Sequence, residues 1–178
     1  SDISDPVTEI SRGDNKMSGE LSWKQGNDDK HIFEDGQGTG IANYTLTLVS
    51  PEGVSLTPAM SILGDKLTAA YGNNEDVIGY SRVTDEETDQ VSYIRSFKFE
   101  GTNIKGRLIF TLDETGRGQY KVEFTGLEAK DYKWNLTATD YKGNTSVKYP
   151  DSDKNILEGD NAAPIVSVVQ NSTDYIGD

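Results

Sequence analysis

The chain has 178 residues, 30 Asp and Glu against 17 Lys and Arg, a net charge of −13 and no cysteine. Disulfides, thiolate metal sites and Cys nucleophiles are thereby excluded, and the acidic surface repels nucleic-acid phosphates and anionic membranes, which are held through clustered Lys and Arg. No apolar run approaches the roughly 20 residues of a membrane-spanning helix, so neither nucleic-acid binding nor membrane insertion is expected.

Only 34% of the residues are hydrophobic, yet they fall in alternating runs that can build a core. The 18 glycines, with many Asp, Asn, Ser and Thr residues, suit an all-β chain with many turns. The opening Ser1-Asp2-Ile3-Ser4-Asp5 carries no signal peptide and reads as the start of a piece cut from a larger protein. Pro6–Ser11 is a short extended segment, and Gly19–Lys24 a second strand with Leu21 and Trp23 on one face. Gln25–Gly40 reads as a long polar loop pinned by Ile32 and Phe33.

Ile41–Ser50 alternates cleanly, with Tyr44, Leu46 and Leu48 on one side, and Pro51-Glu52-Gly53 ends it. After Val54–Leu56 comes the one helix candidate. Thr57 is its cap, Pro58 its first residue, and Met60, Leu63, Leu67 and Tyr71 stand at helical spacing, although Gly64 costs about 1 kcal/mol relative to Ala. Asp76–Thr84 and Gln90–Glu100 form a strand pair around the acidic loop Asp85–Asp89, with Val91, Tyr93, Phe97 and Phe99 sharing a face. Gly106–Asp113 is another strand, and the turn Glu114–Gly118 leads into Gln119–Lys148.

That last stretch predicts three consecutive antiparallel strands. Tyr120, Val122 and Phe124 line one face, and after the turn Gly126–Asp131 so do Tyr132, Trp134, Leu136 and Ala138. Asp140–Asn144 then makes a hairpin turn into Thr145–Tyr149. A polar linker, Pro150–Asp160, precedes Pro164–Gln170, whose Pro-led apolar texture matches Pro6–Ser11. Residues 164–178 are thus either the start of a next module or the last strand of this one.

The pattern Tyr120-x-Val122-x-Phe124-x-Gly126-Leu127, followed by Tyr132-x-Trp134-x-Leu136-x-Ala138-x-Asp140-x-x-Gly143-Asn144, resembles the last strands of bacterial Ig-like and fibronectin type III-like modules. Gly38–Thr47 is similar to an earlier strand of the same modules. Together these motifs cover about a third of the chain. The resemblance implies an Ig/fibronectin-III-like antiparallel β-sandwich over residues 1–150, with residues 151–163 as linker. Such a sandwich needs about 100 residues, so the excess between Glu52 and Gly118 is an insertion holding one short helix. Modules of this kind occur in adhesins and behind the catalytic domain of cell-envelope subtilisin-type proteases, as spacers, stabilisers or partner-binding surfaces.

Weighed as sites, most features read blandly. The single His31 lies in a polar loop with no Gly-x-Ser-x-Gly elbow to serve, and nothing singles out a pair of carboxylates. Asp151-x-Asp153-x-Asn155, with Glu158 and Asp160, spaces oxygen ligands as calcium loops do but has Ile156 where an EF-hand loop has glycine, so a solvated linker is favoured. Arg12-Gly13-Asp14 spells an integrin tripeptide in an ordinary turn. Sequons stand at Asn43, Asn135, Asn144 and Asn171. Trp23 and Trp134 belong to the core, whereas Tyr71, Tyr80 and Tyr141 are the candidates for an exposed sugar-binding shelf. Lys121, Lys133 and Lys148 face outward, which gives no support to an intramolecular Lys–Asn bond.

The expectation is therefore a non-catalytic module with no catalytic, cofactor or metal residue assigned. It belongs to a bacterial extracellular surface protein and acts on neighbouring domains, a host protein or a glycan. A carbohydrate-binding module is the alternative. Specific function is expected in the insertion or in Gln25–Gly40 rather than in the Tyr120–Asn144 strands.

Overall fold

The computed structural model describes residues 7–12, 20–25, 40–58, 60–128, 130–146 and 156–158. They form an all-β sandwich with one short helix. The first sheet has six antiparallel strands in the order β1 (Val7–Arg12), β2 (Glu20–Gln25), β9 (Gly118–Thr125), β8 (Lys105–Leu112), β7 (Val91–Lys98), β6 (Ser81–Thr84). The second runs β11 (Ile156–Glu158), β10 (Asp131–Asp140), β3 (Ile41–Val49), β4 (Ser55–Leu56), and β5 (Ile62–Leu63) also pairs with β3.

Alternation in the sequence becomes burial in the fold. In β3 Tyr44, Leu46 and Leu48 are buried and the residues between them are half-exposed. In β10 Tyr132, Trp134, Leu136 and Ala138 are buried in the same rhythm. These faces meet Trp23, Leu108, Phe110, Tyr120, Val122 and Phe124 of the six-stranded sheet in one core. Rings interlock across the two sheets: Tyr44 stands edge-on to both Trp23 and Tyr120, at centroid distances of 5.7 and 5.1 Å. Trp23 and Tyr120, neighbours in register, stack at 5.0 Å.

The expected run of three consecutive strands is corrected. β9 and β10 lie in different sheets: β9 pairs with β2 and β8, and β10 with β3 and β11. Both strands have an apolar face, and both faces point into the same core from opposite sides. Gly126, at φ +81, starts the crossing, and the Glu128 N–H donates to the Tyr132 hydroxyl at 3.1 Å to hold it. The hairpin at Asp140–Asn144 forms as expected, with the Asp140 N–H donating to the Asn144 carbonyl at 2.9 Å and Gly143 at φ +90. Beyond it a single bridge joins Thr139 and Thr145, and residues 147–150 lie outside the described residues.

The helix is shorter than its spacing predicts. α1 spans Asp65–Asn73, and Ile62–Leu63, expected inside it, form β5 opposite Tyr44 and Asn43. Gly64 explains the delay. The chain lies so close to β3 there that a Cβ on Gly64 would stand 2.5 Å from the Ile41 carbonyl oxygen. Asp65 Oδ2 then accepts the Ile41 N–H at 3.1 Å, and the helix starts only once the chain has cleared the sheet. Leu67 and Ala70 close the core, and Asn74, left-handed at φ 59, ends the helix. Within the stretch read as a polar linker, Ile156–Glu158 join the sheet as an edge strand against β10. Only Ser81–Thr84 of the strand expected over Asp76–Thr84 is extended, because turns occupy the segment before it.

Candidate functional site

Each sequence-level candidate has a place in the fold or lies outside the described residues. His31, Ile32, Phe33, Gly13, Asp14, Lys148, Asn171 and Pro164–Gln170 lie outside, as do Asp151, Asp153, Asn155 and Asp160 of the calcium-like run. Glu158 sits in β11, opposite Asp131. Among the described residues no three His, Cys, Asp or Glu side chains cluster as a metal site, and no helix is long and apolar enough to cross a membrane.

The three tyrosines do not assemble a shelf. Tyr71 is half-buried, with its ring edge-on to Tyr93 and Phe110 at 6.0 and 6.2 Å. Tyr80 is half-buried too: its hydroxyl accepts the Leu63 N–H at 3.3 Å and the Arg95 guanidinium lies 5.6 Å over its ring. Tyr141, in the hairpin turn after β10, is 45% exposed. Trp23 and Trp134 are fully buried, as expected, and neither indole N–H has a hydrogen-bond partner among the described residues. Lys133 is exposed and Lys121 keeps 41% of its side chain in solvent, so both face outward.

Asn43 and Asn135 stand opposite Thr139 and Thr47 on the wet face of the second sheet. Asn144 is engaged, its amide donating to Asp140 Oδ2 at 2.9 Å. The resulting face of Asn43, Thr45, Thr47, Asn135, Thr137 and Thr139 is polar and uncharged, and all six residues are half-exposed.

The outer face of the six-stranded sheet carries an open groove of about 610 Å³, lined by Lys24, Ile109, Thr111, Asp113, Gln119 and Lys121 among others. Asp113 dominates its chemistry. The carboxylate accepts the Thr115 N–H at 2.8 Å, the Thr115 hydroxyl at 2.7 Å and the Arg117 N–H at 3.0 Å, and pairs with Lys24 Nζ at 3.2 Å. Burial alone pushes its pKa up, but these hydrogen bonds outweigh it and hold the group well below the usual carboxylate range. It stays ionised at neutral pH and its acceptors are spent on the β8–β9 turn, so it staples the turn rather than moving protons.

A consequence is measurable. The folded-state pKa lies below the unfolded one, so the contribution is complete above the unfolded value and fades as pH falls from about 5 towards 1. Asp113→Asn is expected to cost about 2 kcal/mol at pH 7. In denaturant titrations the variant's disadvantage should shrink in acid, and a gap unchanged at low pH would refute the assignment.

Gln25, one of the buried polar residues, also has chemistry to explain. Its Oε1 accepts the Thr68 hydroxyl at 2.7 Å, while its Nε2 is buried without a partner among the described residues. One satisfied acceptor against one orphaned amide leaves little net gain. Gln25→Met is therefore expected to be neutral or stabilising by up to about 1 kcal/mol, because half-exposed Thr68 can turn to water; a Tm several degrees lower would contradict it. Nothing in the sequence signalled this pair, since Gln25 closes a strand that reads as entering a polar loop. Comparison with protein-family models, with curated proteins and with solved structures finds no match.

Proposed function

We propose that this chain is a non-catalytic Ig- or fibronectin-III-like module of a larger extracellular bacterial surface protein, threaded in series as a spacer between its neighbours. Strand order supports the family reading. β1, β2, β9 and β8 lie side by side as strands A, B, E and D do in Ig-type sandwiches, and β11, β10 and β3 as G, F and C do. The bond from the Glu128 N–H to Tyr132, at the start of β10, matches the tyrosine corner of those domains. The hairpin of β6 and β7 extends the first sheet beyond the D position, and α1 fills the core beside it, which accounts for the extra length.

The observation that carries the spacer reading is where the first and the last of the described strands stand. Val7 lies opposite Gln25, at the end of the sandwich marked by the β8–β9 turn. Glu158 lies opposite Asp131, at the end marked by the crossing from β9 to β10. The eight residues of β9 separate these ends, about 25 Å at roughly 3.3 Å per residue. Tension applied between Val7 and Glu158 runs along the strands, loading the β1–β2 and β10–β11 ladders in shear. Pulled between two folded marker domains, the chain is expected to unfold in one cooperative event. Gradual unravelling at low force would sink the spacer role.

The parent gene discriminates further. An upstream Asp/His/Ser hydrolase domain would make the module an accessory region of a cell-envelope serine protease. A glycan-binding role would draw on Tyr141 and is checked by a glycan array.

A further inference from the structure

Among the described residues, the hairpin of β6 and β7 ends the six-stranded sheet with no strand beyond β6. All four residues of β6, Ser81–Thr84, are exposed. The Asp85 N–H donates to the Gln90 carbonyl at 2.9 Å, which makes that pair the hydrogen-bonded one closing the turn. Antiparallel ladders alternate, so from the register Val83 with Ser92 and Ser81 with Ile94 are the next bonded pairs. Arg82 and Thr84 consequently turn their backbone N–H and C=O groups away from β7, towards solvent. Apolar surface flanks this free ladder: Val83 is 46% exposed and Ile78, in the turn before β6, is 98% exposed.

Natural edges are blunted by Lys, Pro, bulges or covering loops. This edge is short, but its strand holds neither Lys nor Pro. The charge around it is mainly acidic. Glu75, Asp76, Asp85, Glu86, Glu87 and Asp89 flank β6 in the sequence against two cations: Arg95, whose guanidinium lies over the ring of Tyr80 just before β6, and Arg82, whose guanidinium is already bound by Asp76 at 3.2 Å and by Asn74. Two such edges brought together would repel each other, which disfavours a second copy as the occupant.

We propose that β6 is a docking edge for an extended, basic segment of a partner polypeptide. The segment adds as a further strand, bonds the outward backbone groups of Arg82 and Thr84, covers Val83 and Ile78, and places its cations among the flanking carboxylates. This is independent of the spacer role, since a module can carry tension without binding anything at this edge.

Thr84→Pro tests it selectively. The Thr84 N–H serves no bond to β7, so proline there removes a donor from the free edge and leaves the hairpin ladder intact. The probe is a short acetylated and amidated peptide alternating Lys and Val, labelled for fluorescence anisotropy. Saturable binding to the wild type is expected, weaker at physiological than at low salt. Thr84→Pro is expected to weaken it by about tenfold or more, with an unchanged far-UV spectrum and Tm. The Glu86→Lys/Glu87→Lys double variant, which leaves the edge untouched, is expected to weaken it likewise and keeps the test open if Thr84→Pro misfolds. A peptide alternating Lys and Pro, equal in charge but unable to add as a strand, is expected not to bind. The proposal is overturned if the Lys/Val peptide does not bind, if the Lys/Pro peptide binds equally well, or if both variants bind as the wild type does. It is also overturned if the wild type self-associates through this edge, which would make a second copy the occupant.

Discussion

Gly126→Ala is expected to unfold the chain or cost more than about 3 kcal/mol, far beyond the usual helix or strand penalty of a Gly-to-Ala change. Two causes add. Gly126 sits at φ +81, where an L side chain costs roughly 1–2 kcal/mol. Its missing Cβ would also stand 2.0 Å from the Asn103 carbonyl oxygen and 2.8 Å from the Asn103 carbonyl carbon. Those are backbone atoms in the turn before β8, just ahead of buried Ile104, so relief requires moving the β7–β8 turn or the crossing itself. Gly143 provides the control. Its φ is +90, but no atom of the described residues lies within 4 Å of its Cβ position, so Gly143→Ala carries the conformational term alone, about 1–2 kcal/mol. Equal Tm losses in the two variants would refute the steric argument.

Gly126 also marks what sequence could and could not say about the fold. Alternation in Tyr120–Phe124 and Tyr132–Ala138 identifies which side chains are buried, and all of them are. It carries no information on which strand lies beside which, because pairing is decided by register and turn geometry. A tight turn and a crossing between sheets look alike when both are short and polar, and the need for glycine at residue 126 comes from a carbonyl more than 20 residues away in sequence. β5 and β11 escaped notice for another reason: two or three residues are too few to show a period, although Ile156 and Leu157 were an apolar signal inside the supposed linker. Tyr71 could have been placed. It stands four residues after Leu67, and the same helical spacing that predicted α1 turns its ring towards the core. The anchoring of Tyr80 to Leu63 and the bareness of β6 depend on long-range placement and left no local mark.

Trp23→Ala is expected to cost about 3–5 kcal/mol, a large share of the 5–15 kcal/mol that holds a typical domain together. Trp23 is 1% exposed and belongs to the ring cluster that joins the two sheets, stacked on Tyr120 and edge-on to Tyr44. Tyr120 is fixed from two other sides, by Phe110 at 4.9 Å and by a hydrogen bond from its hydroxyl to the Leu63 carbonyl at 2.8 Å. Tyr44 likewise stands opposite Ala138 and Ile62 in its sheet. With its neighbours pinned, the cavity left by alanine cannot collapse, and the upper part of the range applies. Trp23→Phe separates this packing from any role of the indole N–H. That group is buried without a partner among the described residues, so its removal relieves a desolvation cost while the stacked ring is largely kept, and the loss should be about 1–2 kcal/mol. Chemical denaturation of both variants is the measurement. Equal losses would mean that the indole, rather than the ring stack, carries the stability, whereas a small loss in Trp23→Ala would mean that Tyr44 and Tyr120 close the gap and that the two sheets are joined elsewhere.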